Sequence, residues 1–330
     1  MYASISARFL ANAEAMNMVE SIGNVARHRR VPIVVPRENG YTLIYAPAVS
    51  GESLANAYQR WLADLAESKN LPVCGCCRQH LFIKHGDLEA IKLVKSPWED
   101  ELIEKRVKNP AEVEKLIVKN CVVEDVGGFL LPEEIPAKRT SKFRVSFMVP
   151  AYDAIEQLAL ESQFHVRYAP DPSLHKIYYV EVGSALYVFQ MGLELDEIGR
   201  STMLSREEIV GREERIKRIE VAVEALSHML ENRIFGARLA RTNPVSEVRS
   251  LLVAVSKPLP FQASPPHTRH YMKDTVERAR DFAGLISGEE IKLWAYDSEG
   301  ACEGLEEISR YNTISKVFSE VLNYFRQNVE

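Results

Sequence analysis

The first residues of the chain carry the pattern that most constrains its fold. Residues 2–9 alternate strictly between two kinds of side chain. One set is apolar and consists of Ala3, Ile5, Ala7 and Phe9, and the other consists of Tyr2, Ser4, Ser6 and Arg8. Because successive side chains of a strand point to opposite faces, this spacing predicts a β-strand with one buried face and one half-polar face.

A long polar segment follows this strand and ends in a cationic cluster, which consists of Arg27, His28, Arg29 and Arg30. After two more predicted strands, Ser50 and Gly51 open an amphipathic helix with the apolar stripe Leu54, Tyr58, Trp61, Leu62 and Leu65. Ser50 is a suitable N-cap residue. A half-polar sheet edged by a cationic loop suits a polyanion better than a small-molecule pocket.

The remaining chain alternates predicted strands and helices. Residues 70–140 contain a cysteine cluster and a charged stretch, and we interpret them as an insertion that projects from the main body with a small helix and strands of its own. The later predicted elements are a strand at 142–149, a short helix at 151–161, a strand at 163–169, one or two strands at 176–195 with a turn near Gly183–Ser184, a helix at 206–233, a strand at 248–256, a long Pro-rich loop, a helix at 273–285, a strand at 291–296 and a closing helix at 308–325.

This order of elements predicts an α+β sandwich with helices packed on one face of a sheet. The split βαβ, ferredoxin-like plan is the simplest member of that class, and RNA-recognition modules share it. The pattern alone leaves other α+β plans open.

Composition limits the classes of function. The 330 residues are 46% hydrophobic and 26% charged, and the formal net charge is −5. A mildly acidic body argues against nonspecific nucleic-acid binding, so any such site must be a local basic stripe. No apolar run approaches the roughly 18–20 residues that span a bilayer. The five cysteines do not resemble a secreted disulfide framework, and we expect a soluble, cytoplasmic protein with no membrane partner.

Two long segments are distinctive, SISARFLANAEAMNMVESIGNVARHRRVP and PAVSGESLANAYQ, and three shorter ones are FHVRY, GSALYVFQMGLELDEIG and GARLARTNP. These segments resemble the CRISPR autoregulator (DevR-like) family, which supplies the backbone crRNA-binding subunit of the archaeal type I-A Cascade complex, and the similarity is densest in the first two. Residues 70–140 show the least similarity.

The resemblance implies a modified RRM-like (ferredoxin-like) palm with inserted finger and thumb segments. We expect residues 1–69 and 141–330 to form the palm, a loop near 257–272 to be thumb-like, and residues 70–140 to be a finger-like subdomain. It also implies an RNA-binding scaffold that polymerises on crRNA in antiviral defence. The implied partners are crRNA, target DNA through guide pairing, other copies of this chain and other Cascade subunits.

The expected RNA-binding residues combine local chemistry with this resemblance. They are Asn17, Met18, His28, Arg29, Arg30, Ser50, Gly51, Ser53, His165 and Arg167. Arginine forks pair with phosphate oxygens, and N–H groups at a helix start can receive a phosphate. Ordinary capping explains Ser50, Gly51 and Ser53 equally well, an Asx-turn is the alternative for Asn17, and His165 could be a catalytic base or a plain sheet residue.

Two further cationic segments are candidates. Lys138, Arg139, Lys142 and Arg144 form a possible second stripe, for which a solvated strand edge is the alternative. The Pro-rich loop ends in His267, Arg269, His270 and Tyr271, which could stack on or clamp a strand.

A short cysteine motif offers a weak metal candidate. Cys74, Cys77, His80 and His85 provide donors that tetrahedral zinc accepts, but all lie within twelve residues and lack the usual second arm. Buried thiols are the alternative, and we predict no cofactor.

The sequence contains no P-loop, no dinucleotide fingerprint, no zinc-protease motif and no nucleophile elbow. We therefore predict a protein that is not an enzyme. The rival hypotheses are a CRISPR repeat endoribonuclease of related fold, which would need His28 or His165 as its base, and a transcriptional autoregulator.

Overall fold

The computed structural model describes residues 1–104, 106–132, 135–203, 206–285 and 288–328. The strands are β1 (Tyr2–Glu14), β2 (Met18–Ile22), β3 (Val25–His28), β4 (Arg30–Arg37), β5 (Gly40–Pro47), β6 (Phe129–Leu131), β7 (Ala137–Arg139), β8 (Phe143–Val145), β9 (Val149–Pro150), β10 (Ala159–Arg167), β11 (Lys176–Glu194), β12 (Val245–Lys257), β13 (Glu290–Asp297) and β14 (Ile308–Tyr311). The helices are α1 (Gly51–Ser68), α2 (Gly75–Arg78), α3 (Leu88–Lys92), α4 (Asp100–Ile103), α5 (Pro110–Asn120), α6 (Val122–Gly127), α7 (Arg212–Asn232), α8 (Leu239–Thr242), α9 (Tyr271–Leu285) and α10 (Ile314–Asn328). The chain is thus a mixed α/β protein.

One ten-stranded sheet organises the described chain, in the order β14-β13-β12-β1-β11-β3-β2, and β8, β9 and β10 also pair with β11. Strand β1 lies at its centre and is antiparallel to both neighbours, with Ile5 opposite Met191 of β11 and Val253 of β12. Two separate hairpins, β4–β5 and β6–β7, complete the strands. The predicted N-terminal strand is confirmed.

The apolar face of β1 is buried as its alternation predicts. Ile5 and Phe9 belong to a large apolar cluster with side chains of three helices, among them Leu54 of α1, Leu226 of α7 and Phe318 of α10. These helices form the layer that covers this side of the sheet, and the amphipathic stripe predicted for α1 lies in it.

The other face of β1 corrects the sequence-based expectation. Ser4, Ser6 and Arg8 are fully buried, because the segment at 258–270 and helix α9 cover this side of the sheet. The Ser4 hydroxyl accepts a hydrogen bond from the Ala263 N–H at 2.9 Å. The polar side chains therefore satisfy the backbone of a covering segment, and helices lie on both faces of the sheet.

Arg8 anchors the same covering segment with a buried guanidinium. It donates to the carbonyl of Pro266 at 2.9 Å and forms ion pairs with Asp153 and Glu299 at 2.9 and 2.7 Å. The expected thumb-like loop near 257–272 is thus packed against the sheet and does not project from it. Two of its four candidate clamp residues are used internally, since His267 stacks on Tyr152 at 3.9 Å and Tyr271 is buried, whereas Arg269 and His270 are exposed.

Several predicted boundaries differ from the structure. Residues 176–194 form one continuous strand without the turn expected near Gly183, because β10 and β3 pair with its first half and β1 pairs with its second half. The register irregularity falls on β1, between Ala11 and Glu14. The short helix expected at 151–161 is a 3-10 turn over Tyr152–Gln157, and the closing helix begins at Ile314 after strand β14.

The segment at 70–140 folds onto the body. Five helices and the β6–β7 hairpin bury Val73, Ile91, Ile117 and Val126 in the same apolar cluster as α1. The expectation that this segment projects is therefore wrong for its described residues. Its division from the palm as a finger-like unit stays a prediction.

A buried charge network joins this segment to α7. The Asp125 carboxylate accepts from the Arg139 guanidinium at 2.5 Å and from the Arg218 guanidinium at 2.8 Å, and all three side chains are fully buried. It also accepts the Gly199 N–H at 2.9 Å. A buried charge is tolerated only when it is paired, so these groups depend on one another.

Replacing Asp125 with alanine should lower the free energy of unfolding by about 3–5 kcal/mol, because two buried guanidinium groups lose their shared counter-ion. Urea denaturation measures this change. Glu89→Ala is the matched control, since Glu89 is 80% exposed in its pair with Lys92 and its loss should be barely measurable. Wild-type stability of the Asp125 variant would contradict the role given to the network.

Candidate nucleic-acid interface

An open cleft lies beside the β10–β11 arm. His165 pairs with Tyr178, and Arg167 pairs with Lys176, so these four side chains share one face of the two strands. The rings of His165 and Tyr178 stack at 5.2 Å with an interplanar angle of 18°. This face is one wall of a cleft of about 840 Å³.

The opposite wall comes from the segment between α7 and β12. It contributes the exposed side chains of Arg238 and Arg241. At Gly236 this segment packs closely against Met16, which follows β1. The N–H of the next residue, Ala237, donates a hydrogen bond to the Met16 carbonyl at 2.7 Å. A Cβ at Gly236 would lie 2.6 Å from the Cβ of Met16. With φ of +85°, the position requires glycine for both conformation and space.

The cations of this cleft lack acidic neighbours. Arg167, Lys176, Arg238 and Arg241 form no ion pair with any carboxylate in the part of the chain that the structure describes. Most other exposed cations do, for example Arg144 with Glu194 and Arg280 with Glu307. The cleft therefore combines free positive charge with a stacked aromatic pair, which are the two components of a single-stranded nucleic-acid groove.

A second cleft lies on the other side of the same segment. It has a volume of about 550 Å³ and is lined by Asn17, Ser53, Arg60 and the 234–239 segment. The Asn17 side-chain oxygen accepts from Arg29 Nε at 2.6 Å and from the Ser50 N–H at 3.1 Å. The structure thus brings Asn17 and Arg29, which lie in the same predicted polar segment, together with the start of α1.

The first residues of α1 serve capping and packing. The Ser50 hydroxyl accepts the Ser53 N–H at 3.3 Å, and Ser50 itself is buried. A Cβ at Gly51 would lie 3.1 Å from the Val145 carbonyl oxygen, so glycine allows the helix to start close to β8. The capping alternative accounts for Ser50 and Gly51, and only Ser53 lines a cleft.

His28 corrects another expectation. Its side chain is fully buried, and its Nε2 lies 2.6 Å from a carboxylate oxygen of Glu14, which also accepts from the Tyr187 hydroxyl. Burial alone would lower the pKa of His28, but the hydrogen bond and charge of Glu14 raise it above its ordinary value. Burial likewise opposes ionisation of Glu14, whereas His28 lowers its pKa. The pair is structural, and His28 is unavailable to RNA in this fold.

The rest of the cationic cluster is divided between roles. Arg30 pairs with Glu181 at 2.9 Å while remaining partly exposed. Arg27 and Met18 are half-buried on the β2–β3 hairpin. The second candidate stripe is not continuous, because Arg139 and Lys142 are buried. Lys138 and Arg144 are exposed, and Arg144 pairs with Glu194.

The cysteine motif is arranged differently from the predicted metal set. Cys74 and Cys77 lie beside Cys121 and Glu124, which form the second arm that the sequence interpretation lacked. His80 instead faces Asp64 at 2.7 Å near the surface, so it does not belong to the group. His85 contacts Glu124.

A family model described as CRISPR-associated negative auto-regulator DevR/Csa2 matches residues 5–276. The chain belongs to the DevR/Csa2 family. This result confirms the resemblance drawn from the sequence segments.

Curated relatives of this DevR/Csa2 protein support the same assignment. In Saccharolobus solfataricus, the "CRISPR-associated aCascade subunit Cas7/Csa2 2" is 36% identical over 304 residues, which cover 89% of this chain and 92% of the relative. The "CRISPR-associated protein Cas7/Csa2 1" of that organism is 36% identical over 302 residues, which cover 87% and 89%. "CRISPR-associated protein Cas7/Cst2/DevR" of Methanocaldococcus jannaschii is 29% identical over 161 residues, 44% of this chain and 50% of the relative.

Solved structures share the fold of the DevR/Csa2 chain. A chain titled "CRISPR RNA-guided surveillance complex" superposes with a TM-score of 0.56 at 9% identity, covering 98% of this chain and 99% of its own length. A second, titled "CRISPR RNA-guided surveillance complex, pre-nicking", gives a TM-score of 0.59 at 11% identity and covers 98% and 99%. Among the described residues of this DevR/Csa2 protein, no helix has the length and apolarity needed to cross a membrane.

Sequence reasoning missed part of the cleft of this DevR/Csa2 protein. Lys176, Tyr178, Arg238 and Arg241 were not singled out, although the last two lie in the segment GARLARTNP. Two arginines three positions apart after a glycine were the available signal. Their proximity to His165 depends on pairing between distant segments and is not visible in the sequence.

The Glu14–His28 pair predicts a specific pH dependence of stability. Because its pKa is raised in the folded state, His28 stabilises the folded protein. This stabilisation is complete below the unfolded pKa of about 6.5 and is lost as the pH rises through the higher folded pKa. Glu14 stabilises the folded protein in the opposite pH direction, because its pKa is lowered. Its stabilisation is complete above the unfolded pKa of about 4.5 and is lost as the pH falls through the lower folded pKa. The difference in the free energy of unfolding between wild type and His28→Gln should therefore be largest between about pH 4.5 and 6.5, the two unfolded pKa values, and should shrink at higher pH.

Denaturant titrations across this range measure the difference. His80→Gln is the matched control, because it removes a histidine–carboxylate pair that lies near the surface, where such pairs contribute little to stability. A His28→Gln effect that does not vary with pH would exclude the charged pair.

Proposed function

We propose that this chain is a noncatalytic scaffold subunit of a CRISPR Cascade complex, and that it binds crRNA along the cleft of His165, Arg167, Lys176, Tyr178, Arg238 and Arg241. The observation that carries the proposal is the set of cations in this cleft that have no carboxylate partner among the described residues. Family membership and the relatives named as Cascade subunits support the assembly. We also propose that the protein acts in the cytoplasm, as expected for a complex that acts on nucleic acid inside the cell.

The proposed palm has an RRM-like connectivity. In chain order, β1, α1, the strands β8 to β10, β11, α7 and β12 follow a βαββαβ sequence, and β1 lies between β12 and β11. This order supports a modified ferredoxin-like core. The covered second face of β1 and β12 distinguishes it from RNA-recognition modules that bind bases on the sheet, so the proposed RNA path runs along the β10–β11 arm.

The chemistry of the cleft favours contact with the RNA backbone. Guanidinium forks pair with phosphate oxygens and carry no sequence information, and stacking on His165 or Tyr178 tolerates every base. A scaffold for varied guides needs this property, since guide edges must remain free to pair with target DNA. Asn17, Arg29 and Ser53 extend the proposed path into the second cleft, where Arg60 adds another exposed cation. Other copies of this chain and other Cascade subunits are the proposed protein partners.

Changing Arg238 and Arg241 together to alanine should weaken binding of unrelated single-stranded RNAs to a similar extent. Two lost phosphate contacts should reduce the slope of log affinity against log salt concentration by about 1.4. Fluorescence anisotropy at several salt concentrations measures both quantities. The matched control is Arg280→Ala with Arg326→Ala, which removes the same charge from helices α9 and α10.

An equal loss in the control variant would mean that only net charge matters. A loss confined to one RNA sequence would indicate base recognition. Either result would contradict a backbone-binding cleft formed by these arginines.

Protein bound per RNA should increase in proportion to RNA length, because each subunit of a scaffold covers a fixed stretch of backbone. Native mass spectrometry on a ladder of RNA lengths measures the stoichiometry, and gel analysis of the same samples reports RNA integrity. The RNA should remain intact with both wild type and His165→Ala. Defined products that disappear in the His165 variant would favour the endoribonuclease hypothesis, and constant stoichiometry would exclude the filament.

A further inference from the structure

Four potential metal ligands meet at one buried point outside the cleft. They are the thiols of Cys74, Cys77 and Cys121 and the carboxylate of Glu124, and their donor atoms all lie within 4.8 Å of one another. All four residues are fully buried. Convergence of three thiols and a carboxylate is unusual for a region that otherwise packs valine and isoleucine side chains.

The local backbone is built to bring the two arms together. Cys74 and Cys77 flank a single tight turn, in which the Arg78 N–H donates to the Cys74 carbonyl at 3.0 Å. A Cβ at Gly75 would lie 1.8 Å from the Val94 carbonyl oxygen, so only glycine fits inside this turn. The Val122 N–H donates to the Pro72 carbonyl at 2.9 Å and fixes the second arm beside the first.

The distances from Glu124 to two of the sulfurs are close to those of a tetrahedral site. Glu124 Oε1 lies 3.7 Å from the Cys74 sulfur and 3.8 Å from the Cys77 sulfur. Zinc bonds of about 2.3 Å to sulfur and about 2.0 Å to oxygen separate tetrahedral ligand atoms by about 3.5–3.8 Å. A metal ion could therefore enter with little rearrangement of these side chains.

His85 and Glu99 form an outer layer around the carboxylate. His85 Nδ1 lies 2.5 Å from Glu124 Oε2, and its Nε2 lies 3.2 Å from Glu99. Because His85 occupies the other oxygen of Glu124, Oε1 is directed toward the sulfurs. Such carboxylate–histidine contacts orient ligands in known metal sites.

We propose that Cys74, Cys77, Cys121 and Glu124 bind a structural Zn²⁺ ion, with His85 as a positioning residue. Thiolate ligands select a soft or borderline metal over Mg²⁺ or Ca²⁺, and three thiolates fall short of the four that iron–sulfur clusters use. The site is closed by its four protein ligands and is buried, so it is structural. Zinc would join the start of the 70–140 segment to its later half, which contains α5, α6 and the β6–β7 hairpin.

The test is the metal content of the purified full-length protein, grown with zinc and passed through a metal-scavenging resin. Native and denaturing mass spectrometry together report zinc per chain and the oxidation state of the cysteines. We expect one zinc per wild-type chain with all five cysteines reduced. Cys121→Ser should lose the zinc, whereas the matched control Cys76→Ser should keep it, because Cys76 is buried in the same turn but lies outside the ligand group.

A second measurement covers the case in which Cys121→Ser fails to fold. Zinc transfer from folded protein to a competing chelator should become about 10–100-fold more favourable in His85→Gln, since loss of an outer-layer partner weakens metal affinity by that factor. Chelation should also lower the melting temperature of the wild type. Zinc-free wild-type protein, equal zinc in the Cys121 and wild-type proteins, unchanged affinity in His85→Gln, or a disulfide within the group would each overturn the proposal.

Discussion

The Asp125 carboxylate, shared by Arg139 and Arg218, is the interaction on which the arrangement of the 70–140 segment depends. Arg139 also pairs with Glu114 at 2.8 Å, and Arg218 donates to the Val118 carbonyl at 2.7 Å, so the network spans α5, α6, β7 and α7. None of these ions is stable in the interior without its partners, and the geometry of each element is therefore tied to the others. This coupling makes the segment part of the body, and it fixes α7, whose C-terminal end leads to the arginine-bearing wall of the cleft.

Coverage of the sheet limits where the proposed RNA could bind. The half-polar face of β1 looks like an open binding surface in sequence, yet Ser4, Ser6 and Arg8 hydrogen-bond to a segment about 260 positions away. With that face closed, β11 still offers accessible strand surface where it extends beyond β1 and pairs with β10. The long uninterrupted β11 is thus the structural reason that a cationic arm exists beside the core.

The sequence predicts period and local chemistry well and long-range pairing poorly. The first strand, α1 with its Ser50 cap, and the His165–Arg167 face follow from spacing alone. By contrast, His28 and Arg241 are both cations in segments that resemble the family, and the difference between them is a buried partner, Glu14, in one case and solvent in the other. The second arm of the cysteine group is hidden for the same reason, because the packing of both α2 and α6 against α1 places Cys121 beside Cys77.

Net charge is a poor guide to the affinity of such a protein for a polyanion. Exposed charges more than about 8 Å apart are largely screened at physiological ionic strength, so the overall −5 has little effect at the cleft. What matters is whether nearby carboxylates neutralise a cation. The buried carboxylates of Asp125 and Glu114 are paired with the buried Arg139 and Arg218 and do not face the cleft. A few free arginines give one subunit only modest, salt-sensitive affinity. If neighbouring subunits align these clefts on one RNA, each further contact becomes intramolecular, and occupancy then rises without any sequence-specific contact.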